Sequence, residues 1–346
     1  MAKIISLFNH KGGVSKTTTT FNLGWMLATK GKRVVIADFD PQCNLTGMVM
    51  GFKGSEDLDN FYQTNPPNNV RDGLAPAFES QPRQISHVEC QQIDGNPNLY
   101  LLPGHIGLSE YETSLGIAQE LSGSMRALRN LPGSIRYLLN ATADNVQADI
   151  VLVDMSPSLG PLNQNLLSTS DYFLVPLHPD YFSTMALNSL AATLPKWKLW
   201  AEEAYGQDVL KTADYPFPEP SVKFIGAVIQ KYRPRNGGAS RAFRKWIDDL
   251  EKGLENTLIP KLLEVGMIDI EEFVAKSGQP PWKAILEMAD FNSLIAFSQD
   301  HQVPVYEITQ EQAEQAGAVW TRSENSMEAF RNAFSNCADK IINLIA

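Results

Sequence analysis

Ten residues near the start of the chain carry its densest chemical signal: Asn9-His10-Lys11-Gly12-Gly13-Val14-Ser15-Lys16-Thr17-Thr18. A loop that leaves a buried strand and opens a helix aims several backbone N–H groups, and the positive end of the helix dipole, at one point. That point suits a phosphate. A lysine there reaches β- and γ-phosphates and a hydroxyl binds Mg2+, and Lys16 and Thr17 occupy those two positions. The usual spacing G-x-x-x-x-G-K-[ST] nevertheless fails, because it asks for glycine where this chain has His10 and Ser15.

The elements needed to position such a loop are legible around it. Residues 4–8 form an almost continuous apolar run, as in a parallel strand buried on both faces. Residues 17–30 carry helical spacing through Phe21, Trp25 and Ala28, and Gly31 stands where a helix C-cap belongs. A second apolar run, 34–37, ends in Asp38-Phe39-Asp40. Further strands are predicted at 99–102, 149–154, 172–176, 224–229 and 285–288, with helices such as 133–143, 184–194 and 241–254 between them. Alternation of this kind predicts an α/β fold, a doubly wound, mostly parallel sheet flanked by helices. Residues 1–346 are read as a single domain with insertions at about 51–97 and 196–222, each too short to fold alone. Within the first, Val70, Leu74 and Phe78 mark one amphipathic piece.

The second lysine and the paired glycines make Lys11 to Thr18 resemble the deviant Walker A motif, K-G-G-x-G-K-[ST], of the ParA/MinD family of P-loop ATPases. Two more segments support the resemblance. Asp38-Phe39-Asp40-Pro41-Gln42-Cys43-Asn44-Leu45-Thr46 is similar to the family's D-x-D-P-Q-x-N-x-T stretch, and Ile150 to Gly160, with Asp154, is similar to its Walker B strand and switch. The resemblance implies ATP and Mg2+ as cofactors, bound by Lys11, Gly12, Gly13, Val14, Ser15, Lys16, Thr17 and Thr18. It implies catalytic roles for Lys11, Lys16 and Asp40, with Thr17, Asp40 and Asp154 toward the metal. Asp40 would orient the attacking water. Lys11 would reach the nucleotide of a second copy, so that ATP holds a homodimer together. Asp38 either supports the metal shell or simply caps its strand. Two departures stand out. At Ser15 a side chain costs about 1–2 kcal/mol if φ is positive; otherwise the serine adds a phosphate hydrogen bond. Ser156 replaces a frequent proline, which should loosen the switch. Asn9 and His10 read as loop filler.

Composition limits what such a switch acts on. With 29 Lys and Arg against 39 Asp and Glu, the net charge of -10 excludes a general basic coat. One local exception is the stretch 231–246, whose Lys231, Arg233, Arg235, Arg241, Arg244 and Lys245 are accompanied by no acid. By the resemblance it binds DNA non-specifically; the plainer reading is a solvated helix face paired with the acids that follow. No helix-turn-helix precedes the first strand, which speaks against sequence-specific operator binding. Three scattered cysteines, Cys43, Cys90 and Cys337, argue against a metal cluster or a disulfide scaffold and for a cytoplasmic chain, nucleoid-associated if it binds DNA. An apolar stripe at Phe330, Phe334, Cys337, Ile341 and Ile345 has too few basic neighbours for a membrane helix and is expected to pack on the sheet. The expected function is thus an ATP-dependent dimerising ATPase that partitions or positions DNA or another cargo, stimulated by a ParB-like adaptor. The alternative is an ATP-gated protein that recruits a dedicated partner without DNA.

Overall fold

The computed structural model describes the backbone of residues 1–63, 68–121, 126–232, 234–235, 238–239 and 241–346. Its elements begin with β1 (Lys3–Leu7), α1 (Lys16–Thr29), β2 (Val34–Phe39), α2 (Asn44–Met50), α3 (Ser55–Gln63) and α4 (Val70–Phe78). Then come β3 (Gln91–Gln92), β4 (Leu99–Leu102), α5 (Tyr111–Glu120), α6 (Leu131–Asn145) and β5 (Ile150–Met155). Next are α7 (Pro161–Thr169), β6 (Tyr172–Leu177), α8 (Tyr181–Gly206) and β7 (Lys223–Tyr232). A short hairpin, β8 (Pro234–Arg235) and β9 (Gly238–Ala239), leads to the helix Arg241–Gly253, to β10 (Leu286–Ala289) and to the closing helix Gly317–Ile345.

Eight of the described strands form one sheet in the order β10-β7-β6-β1-β5-β2-β4-β3. All its pairings are parallel except β3 with β4. The apolar runs therefore located the sheet, with ends displaced by a few residues. The polar Gln91–Gln92 pairing carried no such signal. Every residue of β2 and β5 is buried, which explains why their sequences lack alternation. Helix α1 sits against the sheet so closely that a Cβ on Gly24 would meet Ile36 Cγ2 at 2.6 Å. Glycine at that position lets α1 rest directly over β2.

The predicted 184–194 helix runs on through Pro195 to Gly206, so residues 196–206 belong to α8. There Trp197 packs on Phe8, with ring centroids 5.3 Å apart. The amphipathic piece in 51–97 is α4, capped by the Asn69 side chain, which accepts from the Asp72 N–H. In the closing helix Phe330, Phe334, Cys337, Ile341 and Ile345 are all buried, facing α1 and β10. The stripe is core. Among the described residues, no helix is long and apolar enough to cross a membrane.

Candidate phosphate-binding site

Strand β1 ends between β5 and β6, so the loop that follows leaves from the middle of the sheet's carboxyl edge, where parallel α/β sheets bind ligands. Asn9 fixes the departure. It is fully buried, its Nδ2 donates to Pro176 O at 2.8 Å, and its Oδ1 accepts from the Lys11 N–H at 2.9 Å. Asn9 thereby ties the loop to β6. Gly13 and Ser15 then take positive φ values of 73° and 63°. A left-handed serine carries the cost of about 1–2 kcal/mol anticipated for that case. The turn directs Lys16 back into the loop, where its buried ammonium donates to Asn9 O at 2.9 Å and to Lys11 O at 3.3 Å. Burial lowers the Lys16 pKa, and the nearby Asp154 and Asp40 charges oppose that shift. Gly12, Gly13, Val14, Ser15, Lys16, Thr17 and Thr18 line a cleft of about 860 Å3, together with Asp40 and Pro157.

The carboxylates arrive from adjacent strands. Asp154 on β5 pairs in register with Asp38 on β2 and with Leu7 on β1. Asp154 is wholly buried, and no hydrogen bond of ordinary length and angle satisfies its oxygens, the Thr17 hydroxyl being the polar group nearest to doing so. Burial and the Asp38 charge push its pKa up to about 8, against the pull of the Thr17 hydroxyl and the Lys16 ammonium. An unsatisfied buried carboxylate beside a phosphate-type loop suits a hydrated Mg2+, which keeps several waters and takes few protein ligands. Among the described residues no three His, Cys, Asp or Glu side chains converge enough to hold a metal unaided. Thr17 and phosphate oxygens would therefore complete such a shell.

Asp38 has a different occupation. Its Oδ2 accepts from the Thr46 hydroxyl at 2.6 Å and from the Thr46 N–H at 2.8 Å, and its Oδ1 accepts from the Asp40 N–H at 3.2 Å. Of the two readings open at Asp38, the geometry favours anchorage: it clamps the 38–46 loop that carries Asp40. Burial raises its pKa to about 6, the Asp40 charge adding to that effect while the Thr46 bonds oppose it. Asp40 itself lies in the cleft, mostly buried, and its Oδ1 accepts from the Gln42 N–H at 3.0 Å.

Lys11 points elsewhere. Its ammonium donates to Asp180 at 2.6 Å and 2.7 Å and to Ser183 Oγ at 3.1 Å, with the Phe182 ring centroid 5.8 Å away. Asp180 also caps α8 by accepting from the Ser183 N–H. Partial burial works against its charge, yet Lys11 and that N–H hold its carboxyl below the ordinary value. No spacing in the sequence linked residues 11 and 180. Nor did any signal mark Asn163, whose Nδ2 donates to Ser156 O, Ser156 Oγ and Ser158 O. That amide ties the Ser156 loop to α7.

The basic stretch is only partly described. Arg233, and the side chains of Lys231, Arg235 and Arg241, lie outside the described residues. Arg244 and Lys245 are exposed, and Arg244 pairs with Glu287 at 3.3 Å.

A protein-family model described as an AAA domain matches residues 2–203. An uncharacterised Methanocaldococcus jannaschii protein, MJECL24, is 27% identical over 81% of this chain and 90% of its own length. The chromosome-partitioning ATPase Soj of Thermus thermophilus is 33% identical over 55% of this chain and 60% of its own. Among solved structures, the cell division ATPase MinD of Pyrococcus furiosus superposes with a TM-score of 0.53 at 17% identity, covering 99% of this chain and 100% of that one. The MinD likeness is one of fold. With the family model spanning more than half its length and a phosphate loop at the centre of its sheet, the chain belongs to the AAA-domain family, as a ParA/MinD-like P-loop ATPase.

Proposed function

We propose that this chain is an ATP-dependent, dimerising switch that hydrolyses ATP to partition or position DNA or another cargo. One observation carries the reading. Lys16, at the start of α1, and a buried Asp154, near the end of β5, meet at the carboxyl edge of the sheet, while Lys11 leaves the same loop outward. In this proposal Lys16 and the N–H groups of residues 12–18 hold the phosphates. Thr17, with Asp40 and Asp154 acting through water, holds Mg2+. The metal, when bound, offsets phosphate charge. Asp40 orients the attacking water. Lys11 leaves Asp180 for the nucleotide of a second copy, so ATP stabilises the homodimer and hydrolysis releases it. Exposed Tyr181, Phe182 and Met185 beside Lys11 supply apolar surface for that contact. Residues 1–346 act as one ATPase domain with insertions at about 51–97 and 196–222, a reading supported by one core cluster reaching from Ala2 to Ile345.

For DNA, the support is the acid-free run from Lys231 to Lys245 and the partition role in the name of the Thermus relative. The same apolar patch and the Arg244–Glu287 pair favour a second reading, ATP-gated recruitment of a protein partner, ParB-like or otherwise, without DNA. Binding to unrelated duplex DNA with Mg·ATP, at several salt concentrations, separates the two. Six phosphate contacts per protomer would give a log–log salt slope of about −5. Binding that ignores ATP or salt would sink the DNA reading and leave the partner reading.

A further inference from the structure

The closing helix begins before the core does. None of the residues Gly317–Ser326 is buried, Val319 is 58% exposed, and Met327 is the first to reach the interior. Between this helix and the segment 306–308 runs a groove of about 460 Å3. Its floor is apolar: Met327, Ile308 and Tyr306 are buried there, and Trp320 stands half-buried in its wall. The floor is also fixed to α1. The Tyr306 hydroxyl donates to Asn22 O at 2.6 Å, and the Val305 N–H donates to Asn22 Oδ1 at 2.9 Å.

The rim keeps one sign of charge. Glu324 and Glu328 follow Trp320 at four-residue spacing, so all three share one face of the helix. Both glutamates are exposed, and among the described residues neither has an ion-pair or hydrogen-bond partner. Arg331, the cation among the lining residues, is already engaged: it donates to Tyr306 O at 2.8 Å and to Glu307 at 3.1 Å. Two unpaired carboxylates therefore stand beside an indole and an apolar floor. An arginine or lysine side chain complements all three, since its stem covers apolar surface, its head group lies over an aromatic face and its charge meets the carboxylates.

We propose that this groove docks a basic segment of a partner protein, anchored by an arginine or lysine side chain against Trp320, Glu324 and Glu328. None of the groove's lining residues lines the nucleotide cleft, and the docking is independent of whether the chain hydrolyses ATP. The volume suits one anchoring side chain and its neighbours, being that of a small-ligand pocket.

Fluorescence polarisation with the full chain, free of nucleotide and DNA, tests this. The probe is a labelled heptapeptide of serine and leucine carrying two arginines, and its blank has glutamine in their place. The wild type should bind the arginine peptide and ignore the blank. Glu324→Gln combined with Glu328→Gln should weaken binding about tenfold, and Trp320→Leu should do the same. Glu255→Gln combined with Glu271→Gln removes the same charge from exposed positions elsewhere and should leave binding unchanged. The glutamine variants keep side-chain size, so they carry the test even if Trp320→Leu melts early. An equal loss in the Glu255 and Glu271 control would show mere attraction to an acidic surface and overturn the inference. Unchanged binding by the Glu324 and Glu328 variant, or no binding by the wild type, overturns it as well. Wild-type self-association in sedimentation velocity that the same two glutamines abolish would assign the groove to a second copy, against the proposal.

Discussion

The Lys11 ammonium lies 2.6 Å from the Asp180 carboxylate, so the outward lysine of the phosphate loop is restrained by the residue that caps α8, 169 positions away. Both side chains are largely buried, and Ser183 Oγ shares the contact. A lysine held this way must leave its partner before it can serve a second molecule. On the proposed reading, in which Lys11 serves the nucleotide of a second copy, the ion pair opposes self-association and nucleotide must outweigh it.

Asp180→Asn keeps an oxygen to cap the Ser183 N–H and removes only the charge. Sedimentation velocity with Mg·ATP should show the dimer at protein concentrations lower by roughly several-fold. Lys11→Ala should abolish it. An Asp180→Asn protein that assembles just as the wild type does would deny the pair any restraining role.

Lys16→Ala removes the buried ammonium at the loop's centre and should lose nucleotide-dependent dimerisation altogether. Asp40→Ala should retain the ATP-bound dimer while phosphate release stalls. Normal turnover in Asp40→Ala, measured by phosphate release, would take the water-orienting role away from this residue.

Thr46→Val deletes the hydroxyl that donates to Asp38 and accepts from the Gly104 N–H at 2.8 Å. Leaving those buried groups unpaired costs about 1–3 kcal/mol each. The melting temperature should fall, and Thr46→Ser should restore it. A Thr46→Val chain as stable as wild type would show that the Asp38 clamp is not what holds the 38–46 loop.

Burial raises Asp154 to about 8 and Asp38 to about 6. Between pH 4 and 8 the folded chain therefore keeps protons that the unfolded chain has released, and stability falls as pH rises across that window. Melting of the nucleotide-free protein should show this decline. Asp154→Asn should flatten its upper part, from pH 6 to 8, and should remove the dependence of nucleotide affinity on Mg2+. A pH 6–8 profile unchanged by Asp154→Asn would remove Asp154 as its source.

The short-range features of the site were legible because they are local. Lys16 and Thr17 follow a glycine turn between a strand and a helix, and a turn, a strand end and a helix start each leave a mark within a few residues. The basic stretch was equally visible as composition, yet only Arg244 and Lys245 among its cations have described side chains, and Arg244 already has Glu287 as a partner.

By itself the sequence determined the fold class, the strand positions and the phosphate loop, because fully buried strands and a glycine–lysine turn impose composition on adjacent residues. Only the tertiary structure decided which partners those residues have. It brought Asp180 to Lys11, Pro176 to Asn9, and Asp154 into line with Asp38. Each of these joins parts of the chain from different elements of the sheet edge, and strand order, which no local pattern encodes, is what places them together. It also settled Ser15, since the same serine is compatible with either sign of φ until the loop's ends are fixed by β1 and α1.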